Sequence, residues 1–164
     1  MKRKKFIPYR RKREGKTNYR KRLRLLKSNT LRLVVRKTLK NITAQVVEFH
    51  PDGDKTILSV SSKDLKKYGW TGYGRNTPAG YLVGFLLGTS AKKKNHQKMV
   101  LDLGLNAARS GMSLFSVLKG VVDAGIEVPH SATIFPSEDR ISGKGISEAV
   151  SKQFGEVKSK IEKV

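Results

Sequence analysis

Three short segments in the first half of the chain alternate hydrophobic and polar residues, which is the pattern of a half-buried β-strand. These segments are residues 31–36, 42–49 and 56–61, and short polar turns such as residues 50–53 separate them. Consecutive strands joined by short turns usually pair with each other in antiparallel order. The pattern therefore predicts a three-stranded antiparallel meander.

The hydrophobic spacing then lengthens to that of helices. Thr77 followed by Pro78 is typical of a helix start, and we expect a helix from the Thr77 cap to about Lys94. Glycines recur at every fourth position of this helix, at Gly80, Gly84 and Gly88. That spacing predicts that the helix backbone approaches a neighbour closely.

Further elements follow towards the C-terminus. Residues 99–103 form an apolar run typical of a strand covered on both faces, and residues 111–124 have apolar side chains at helical spacing. Residues 126–130 predict a short fifth strand, which Pro129 restricts to an edge or end of the sheet. A loop over residues 135–145 leads to an amphipathic helix whose shared face contains Ile146, Val150, Phe154, Val157 and Ile161.

This order of elements predicts an α/β fold with a mixed five-stranded sheet. A right-handed crossover places the fourth strand parallel to the first. We expect a basic N-terminal extension with a short helix at residues 1–29, an α/β core domain at residues 30–135, and a C-terminal loop and helix at residues 136–164.

The order of strands and helices resembles the ribonuclease-H-like arrangement. Nucleases of that arrangement hold divalent metal ions with carboxylates, the first of them on the first strand. Here that strand has Arg32 and Arg36 but no acidic residue, and Asp102 stands alone at the end of the fourth strand. Because one carboxylate does not form a two-metal site, we expect no catalytic acids and no enzyme. Asp102 is instead expected to accept a hydrogen bond from a backbone N–H or an arginine.

Charge is distributed very unevenly along the chain. Lysine and arginine occupy 18 of the first 40 residues, and Glu14 is the one acidic residue there, so this tract holds +17 of the net charge of +22. Such a density of like charge repels itself, and a polyanion relieves the repulsion and releases counterions on binding. The alternative is a solvated, disordered tail, but the tract is neither low in complexity nor purely charged. Nucleic acid is therefore the favoured partner.

Within this tract, residues 1–16 have no hydrophobic period and are expected to be extended or disordered without the partner. Thr17 or Asn18 can cap a short helix. The apolar face of that helix would contain Tyr19, Leu23 and Leu26. A basic amphipathic helix also suits a membrane surface, but three apolar residues make a thin anchor. We favour docking on the protein's own core, with the charged side outward.

Several other classes of protein are disfavoured. The chain has no cysteine, and its three histidines lack the spacing of metal ligands, so neither a metal site nor a cofactor is expected. The longest apolar run, residues 79–87, is about half as long as a membrane span, and no apolar segment follows the basic start as it would in a signal peptide. We expect a soluble, cytoplasmic protein without a membrane partner or a small-molecule substrate.

The side chains of the basic tract favour RNA over DNA. Arginines such as Arg10 and Arg13 bind phosphates bidentately, and the interspersed Tyr9 and Tyr19 can stack on unpaired bases. None of the helix-turn-helix, zinc-finger or heptad patterns of DNA-binding proteins is present.

Residues 9–19, Tyr-Arg-Arg-Lys-Arg-Glu-Gly-Lys-Thr-Asn-Tyr, closely resemble the N-terminal signature of the large-subunit ribosomal protein family numbered eighteen, in its archaeal and eukaryotic form. Stretches within residues 32–45, 65–79 and 101–131 agree with the same family in the same order. Two departures affect the expected contacts. Thr38-Leu39 replaces a Ser-Asn pair between the first two strands, and residues 106–110 contain a single cation.

The resemblance implies a structural constituent of the large ribosomal subunit that binds 5S rRNA and helps attach it to large-subunit rRNA in the central protuberance. It also implies contact with a neighbouring 5S-binding ribosomal protein, and a ribonuclease-H-like sheet without catalytic acids. A DNA-compacting architectural protein and an RNA-processing enzyme on the same fold are the rival interpretations.

We expect rRNA contacts along the basic tract, along the sheet and its first hairpin, and along the Gly-rich loop at residues 66–76. For Trp70, packing in the core or loop is an equal alternative. The predicted rRNA-binding residues are Arg3, Lys4, Tyr9, Arg10, Arg11, Lys12, Arg13, Lys16, Thr17, Tyr19, Arg20, Arg22, Arg24, Arg32, Arg36, Lys37, Lys40, Asn41, Gln45, Trp70, Arg75, Asn76 and Arg109.

Overall fold

The computed structural model of the protein describes residues 7–163, which begin with two short helices, α1 (Arg10–Arg13) and α2 (Tyr19–Leu26). Helix α2 starts after Asn18, whose side chain accepts a hydrogen bond from the backbone N–H of Lys21 at 3.0 Å. One of the two predicted caps is therefore confirmed.

The prediction that residues 1–16 are extended or disordered is wrong for α1, and the first six of these residues lie outside the described part of the chain. The α1 turn closes because the backbone N–H groups of Lys12 and Arg13 both donate to the carbonyl of Tyr9. The turn is followed by Gly15 at a φ of +65°, a conformation that glycine adopts without steric cost.

One mixed sheet in the described residues consists of four strands: β1 (Leu31–Lys37), β2 (Ile42–Glu48), β3 (Lys55–Ser61) and β4 (Met99–Asp102). Their spatial order is β3-β2-β1-β4. Strand β2 is antiparallel to both β1 and β3, and β4 is parallel to β1, with Leu33 opposite Val46 on one side and Leu101 on the other. The predicted meander and the parallel crossover strand are both confirmed.

The predicted fifth strand is wrong. Residues 126–130 contribute a single parallel bridge, between Glu127 and Lys98, and no strand. Pro129 has no N–H to donate to a ladder, which explains why pairing ends after one bridge. Val128 is nevertheless buried, so this segment packs on the core without extending the sheet.

Four more α-helices follow in the described part of the chain: α3 (Thr77–Lys93), α4 (Ser113–Asp123), α5 (Glu138–Ser142) and α6 (Glu148–Glu162), with 3₁₀ turns at Asp64–Tyr68 and Ala132–Ile134. The cap of α3 is Asn76, whose side chain accepts a hydrogen bond from the Ala79 N–H at 2.9 Å, and not the predicted Thr77. Helix α5 lies inside the predicted loop at residues 135–145, and Gly143 ends it at a φ of +81°.

The close approach predicted from the glycines of α3 is confirmed by its contact with α4. A Cβ on Gly84 would lie 2.0 Å from the carbonyl oxygen of Val117, and one on Gly80 would lie 2.5 Å from Ser116 Oγ. From the other side, a Cβ on Gly120 would lie 2.2 Å from a carbonyl of α3. The backbones of the two helices therefore touch at positions where no other residue fits.

Helices α3 and α4 cover one face of the sheet, and α6 packs on α3 from outside. The α6 face contains Val157 and Ile161, which are buried, and Phe154, whose ring lies 5.4 Å from that of Tyr81. Ile146, which was predicted to share this face, precedes the helix and is exposed. With α4 and the sheet on one side and α6 on another, residues 78–88 of α3 are all buried, and the exposed cations of this helix lie in its last turn.

Candidate nucleic-acid interface

The sheet face that is turned away from α3 and α4 forms a groove together with α2. Side chains alternate along β1, so Arg32, Val34 and Arg36 line the groove while Leu33 and Val35 are in the core. The groove has a volume of about 670 Å³, and α2 and the turn before it form its opposite wall.

Positive charge dominates this groove. Its six cationic side chains are Arg11, Lys16, Lys21, Arg22, Arg32 and Arg36, and its two acidic side chains are Asp54 and Asp102. An excess of positive charge in a concave site attracts polyanions. The groove brings together seven of the predicted rRNA-binding residues: Arg11, Lys16, Thr17, Arg22, Arg32, Arg36 and Gln45.

Arg32, one of the sheet residues with a predicted rRNA contact, does not lie at the surface of the free protein. The residue is 2% exposed, and its guanidinium contacts the carboxylates of Asp54 at 2.5 Å and Asp102 at 3.3 Å. The physical reason is that β1 is a central strand covered on both faces. A buried charge persists only when it is paired in this way, so Arg32 organises the groove wall.

Asp102 has the partners expected from the sequence. Its carboxylate accepts a hydrogen bond from the backbone N–H of Gly104 at 2.7 Å and contacts Arg36 at 3.4 Å as well as Arg32. Arg36 also donates to the backbone carbonyl of Asp102 at 2.7 Å. The carboxylate therefore serves to hold β4 and two arginines together.

Helix α2 docks through two of its cations. Arg22 forms two 2.8 Å hydrogen bonds to Asp54, and Lys21 Nζ donates to the Gly104 carbonyl at 3.0 Å. These contacts raise the pKa of Arg22 and lower that of Asp54, chiefly through their mutual hydrogen bonds. Docking of α2 on the rest of the protein is thus confirmed. The predicted orientation is wrong, because Lys21 and Arg22 of the charged side face the protein whereas Leu23 of the predicted apolar face is 60% exposed.

The cations of α1 remain at the surface. All four of its residues are exposed, and none of its backbone is buried against the core. Glu14 is held by Arg10 and Lys16, each at 2.8 Å, and these two cations lower the pKa of its carboxyl, with Lys16 the larger cause. Arg11 donates to the Thr17 hydroxyl at 2.9 Å, which fixes the turn between the two helices.

Two tyrosines, one just before α1 and one at the start of α2, lie close together. The rings of Tyr9 and Tyr19 lie 5.3 Å apart at an interplanar angle of 44°, and Tyr9 is exposed. A tilted aromatic pair of this kind is a favourable geometry and leaves one face of the outer ring open.

The tip of the β1–β2 hairpin and the Gly-rich loop form a second surface outside the groove. Lys40 is exposed there, and Lys37 and Asn41 are half-buried. Trp70, in contrast, is 2% exposed, which is the core-packing position that was the equal alternative for this residue. Its indole packs with Leu65 and other residues of the core cluster.

Arg75 and Asn76, just before α3, lie in a separate pocket of about 270 Å³, which they share with Ser113 at the start of α4 and Arg140 of α5. Arg109 lies in the exposed segment after β4 and lines neither of the two concavities. The predicted contacts at Arg3 and Lys4 fall outside the described residues.

The predicted residues thus divide by exposure into three sets. The exposed set contains Tyr9, Arg10, Arg11, Lys12, Arg13, Lys16, Arg20, Arg24, Lys40 and Arg109. The half-buried set contains Thr17, Tyr19, Arg22, Arg36, Lys37, Asn41, Gln45, Arg75 and Asn76. Arg32 and Trp70 are buried.

Sequence reasoning missed three residues of these surfaces: Lys21, Asp54 and Tyr73. Nothing in the sequence distinguishes Lys21 from the other cations of the basic tract. Asp54 did offer a signal, because acidic residues are rare in this chain and this one follows a turn directly before a strand. Tyr73 was overlooked beside the larger Trp70 in the same loop.

Two negative findings concern residues 7–163. No three histidine or acidic side chains in that range come together in a way that would hold a metal ion. No helix within it combines the length and apolar character that crossing a bilayer requires.

Comparisons with known proteins bear on the same surfaces. Residues 3–99 and 88–131 match the family described as ribosomal large subunit proteins 60S L5, and 50S L18. The large ribosomal subunit protein uL18 of Methanoregula boonei is 43% identical over 159 residues, which cover 97% of this chain and 91% of that relative. The similarity therefore includes the basic tract, the sheet and both walls of the groove.

Proposed function

Since the chain belongs to the family of large-subunit ribosomal proteins 60S L5 and 50S L18, we propose that it binds 5S rRNA and helps attach it to large-subunit rRNA in the central protuberance. Family membership makes the protein a structural constituent of the large ribosomal subunit, located in the cytoplasm with the ribosome, and not an enzyme. The 5S rRNA, the central protuberance and a neighbouring 5S-binding ribosomal protein are the proposed partners.

The proposal rests on one observation about residues 7–29, which we call the arm. Some cations of the arm bind the protein itself, and others are exposed. Lys21 and Arg22 of α2 face the sheet and have protein partners. Arg20 and Arg24, four residues apart and therefore on one face of the helix, are exposed. The helix is held in place by one pair of cations while the other pair faces outward.

Helix α1 extends the outward-facing charge. Its arginines and lysine are exposed in the absence of RNA, and the one nearby carboxylate, Glu14, is already paired with two cations. Docking of α2 restricts where this charge lies, which lowers the entropy lost when the arm binds a folded RNA. Phosphates along two RNA strands are the proposed occupants of the groove mouth and of the α1 surface.

The proposal extends to large-subunit rRNA through the second surface. Lys37, Lys40, Asn41, Arg75 and Asn76 lie outside the groove, on the hairpin tip and the start of α3. A protein that attaches one RNA to another needs two such surfaces, and the groove and the hairpin tip supply them on different elements.

The test is binding of a 5S rRNA transcript by the full chain and by a variant that lacks residues 1–16. This deletion removes α1 and leaves the contacts of Lys21 and Arg22 in place, so α2 stays docked. We expect the deletion to weaken binding by at least tenfold, because several phosphate contacts are lost. Undiminished binding by the deletion variant would overturn the proposal.

A competition experiment with duplex DNA tests whether the protein prefers RNA to DNA. At about 150 mM salt, an excess of duplex DNA should leave most of the 5S complex intact, since non-specific affinity for a duplex is weak at that ionic strength. Equal displacement by duplex DNA and by unlabelled 5S rRNA would favour a DNA-compacting protein instead.

A further inference from the structure

The Gly-rich loop presents an exposed aromatic ring that neither the groove nor the arm uses. Tyr73 is 56% exposed, whereas Trp70 in the same loop is 2% exposed. The Tyr73 hydroxyl donates a hydrogen bond to the backbone carbonyl of Leu39, at the tip of the β1–β2 hairpin, at 2.5 Å. The ring is therefore fixed at its hydroxyl end and open to solvent along the rest.

The backbone beneath this ring is held by close contacts. A Cβ on Gly72 would lie 2.8 Å from the indole of Trp70, and one on Gly74 would lie 3.0 Å from the carbonyl of Lys40. The loop thus lies directly on the buried indole on one side of Tyr73 and directly on the hairpin on the other. Such pre-organisation reduces the entropy that Tyr73 loses when it binds a ligand.

Leu39, the residue whose carbonyl accepts the hydrogen bond from Tyr73, is also apolar and exposed. Leu39 is 81% exposed, and in sequence it lies between two cationic residues of the hairpin, Lys37 and Lys40. The hairpin tip and the Gly-rich loop lie in two stretches of the chain without acidic residues, 15–47 and 65–101. Every charged side chain in these two stretches is therefore a lysine or an arginine. The surroundings of Tyr73 are therefore complementary to a polyanion.

We propose that Leu39 and Tyr73 form a stacking platform for an unpaired RNA base, with Lys40 binding the adjacent phosphate. Bases present a flat apolar face, and proteins that bind single-stranded RNA combine exposed aromatic rings with nearby cations in this way. The exposed Tyr73 ring beside lysines favours a nucleotide, which offers a flat apolar base next to a phosphate. The inference rests on the proposed RNA-binding function and adds the class of ligand for this surface.

The test compares full-length wild-type protein with Tyr73→Leu and Tyr73→Phe variants, each titrated with 5S rRNA transcript and with a fully paired RNA duplex of equal length. Losing a base stack should weaken the 5S complex of Tyr73→Leu about tenfold. Tyr73→Phe keeps the ring, so its affinity should stay within about threefold of wild type. Phe49→Leu, which changes an exposed ring on the other hairpin, is the matched control and should bind as wild type does.

The outcomes separate the platform from the general function. If wild type binds 5S rRNA more tightly than the duplex and Tyr73→Leu binds it equally well, the platform is overturned and 5S binding stands. If wild type shows no preference for 5S rRNA, the proposed function fails and the platform fails with it. An equal loss of affinity for the paired duplex would show that no unpaired base stacks on the ring, and it would also overturn the platform.

Discussion

Arg22 and Asp54 are joined by a bidentate ion pair in which both nitrogen–oxygen distances are 2.8 Å. The same carboxylate accepts a hydrogen bond from the buried Arg32 of β1 at 2.5 Å. One acidic side chain therefore connects the arm to β1, one of the two inner strands of the sheet. Bidentate geometry and partial burial make this pair stronger than an ordinary surface ion pair.

Replacing Asp54 by asparagine should destabilise the protein by about 2 kcal/mol, because the change leaves Arg32 buried with a single, longer ion pair to Asp102. Urea unfolding followed by the fluorescence of the single tryptophan measures the loss. The matched control is Asp52→Asn, two residues away, whose side chain is 96% exposed and whose effect should stay within about 0.5 kcal/mol. Equal effects of the two variants would contradict the role assigned to Asp54.

The same pair predicts a pH dependence with a definite sign. The pKa of Asp54 is lowered in the folded protein, chiefly by the hydrogen bonds from Arg22 and against the opposing effect of burial. A carboxyl whose pKa is below its unfolded value of about 3.9 contributes stability above that pH and loses it as the pH falls through the folded pKa. The free-energy gap between wild type and Asp54→Asn should therefore be constant above about pH 5 and shrink below about pH 4.

The measurement is urea unfolding of both proteins over that pH range. Glu14 also has a lowered pKa, but it is present in both proteins and its contribution cancels in the difference. A gap that widens on acidification would reverse the predicted sign and reject the assignment to Asp54.

The parts of the fold that sequence predicts well are those set by periodicity and local chain geometry. Strands β1 to β3 follow from alternation and short turns, and the parallel placement of β4 follows from the handedness of crossovers. The glycine spacing of α3 predicted that a neighbour approaches its backbone closely, because close approach leaves no room for a Cβ, and the structure shows that this neighbour is α4. These features depend on neighbours in sequence or on general rules of chirality.

The parts that sequence does not predict depend on what covers each side chain. Arg32 occupies an outward position of an alternating strand, and its burial there accompanies its ion pairs with Asp54 and Asp102, both distant in sequence. Trp70 and Tyr73 lie in the same loop with similar local sequence, and the chain path alone decides that the first is buried and the second exposed. Residues 126–130 have strand composition, but Pro129 ends their pairing.

A glycine pair tests the α3–α4 contact. Gly84→Ala places a methyl group 2.0 Å from the carbonyl oxygen of Val117, so the helices must separate and stability should fall by about 3 kcal/mol. Gly155→Ala on α6 meets no atom within 4 Å and should stabilise the protein by about 0.5–1 kcal/mol, because alanine favours the helix. Chemical denaturation measures both changes. Effects of the same sign in the two variants would contradict the packing described.

Trp70 provides an independent check of which aromatic residue faces RNA. Because the single tryptophan of the chain is buried, its emission should resist quenching by acrylamide in the free protein and become accessible on unfolding. Addition of 5S rRNA should leave its accessibility to acrylamide unchanged. Protection that appears only with RNA would mean that Trp70 is exposed in the free protein and lies at the interface.

The exposed charge of α1 makes a quantitative prediction about salt. If each of Arg10, Lys12 and Arg13 neutralises one phosphate of a duplex region of the 5S transcript, changing all three to glutamine should reduce the slope of log affinity against log salt by about 2.7, which is 0.9 per contact. The wild-type slope should approach −9 if about ten phosphates are neutralised in all. Lys93→Gln, which removes an exposed cation from the far end of α3, is the control and should leave the slope unchanged. A wild-type slope shallower than about −3 would mean that most of the basic arm lies away from the RNA.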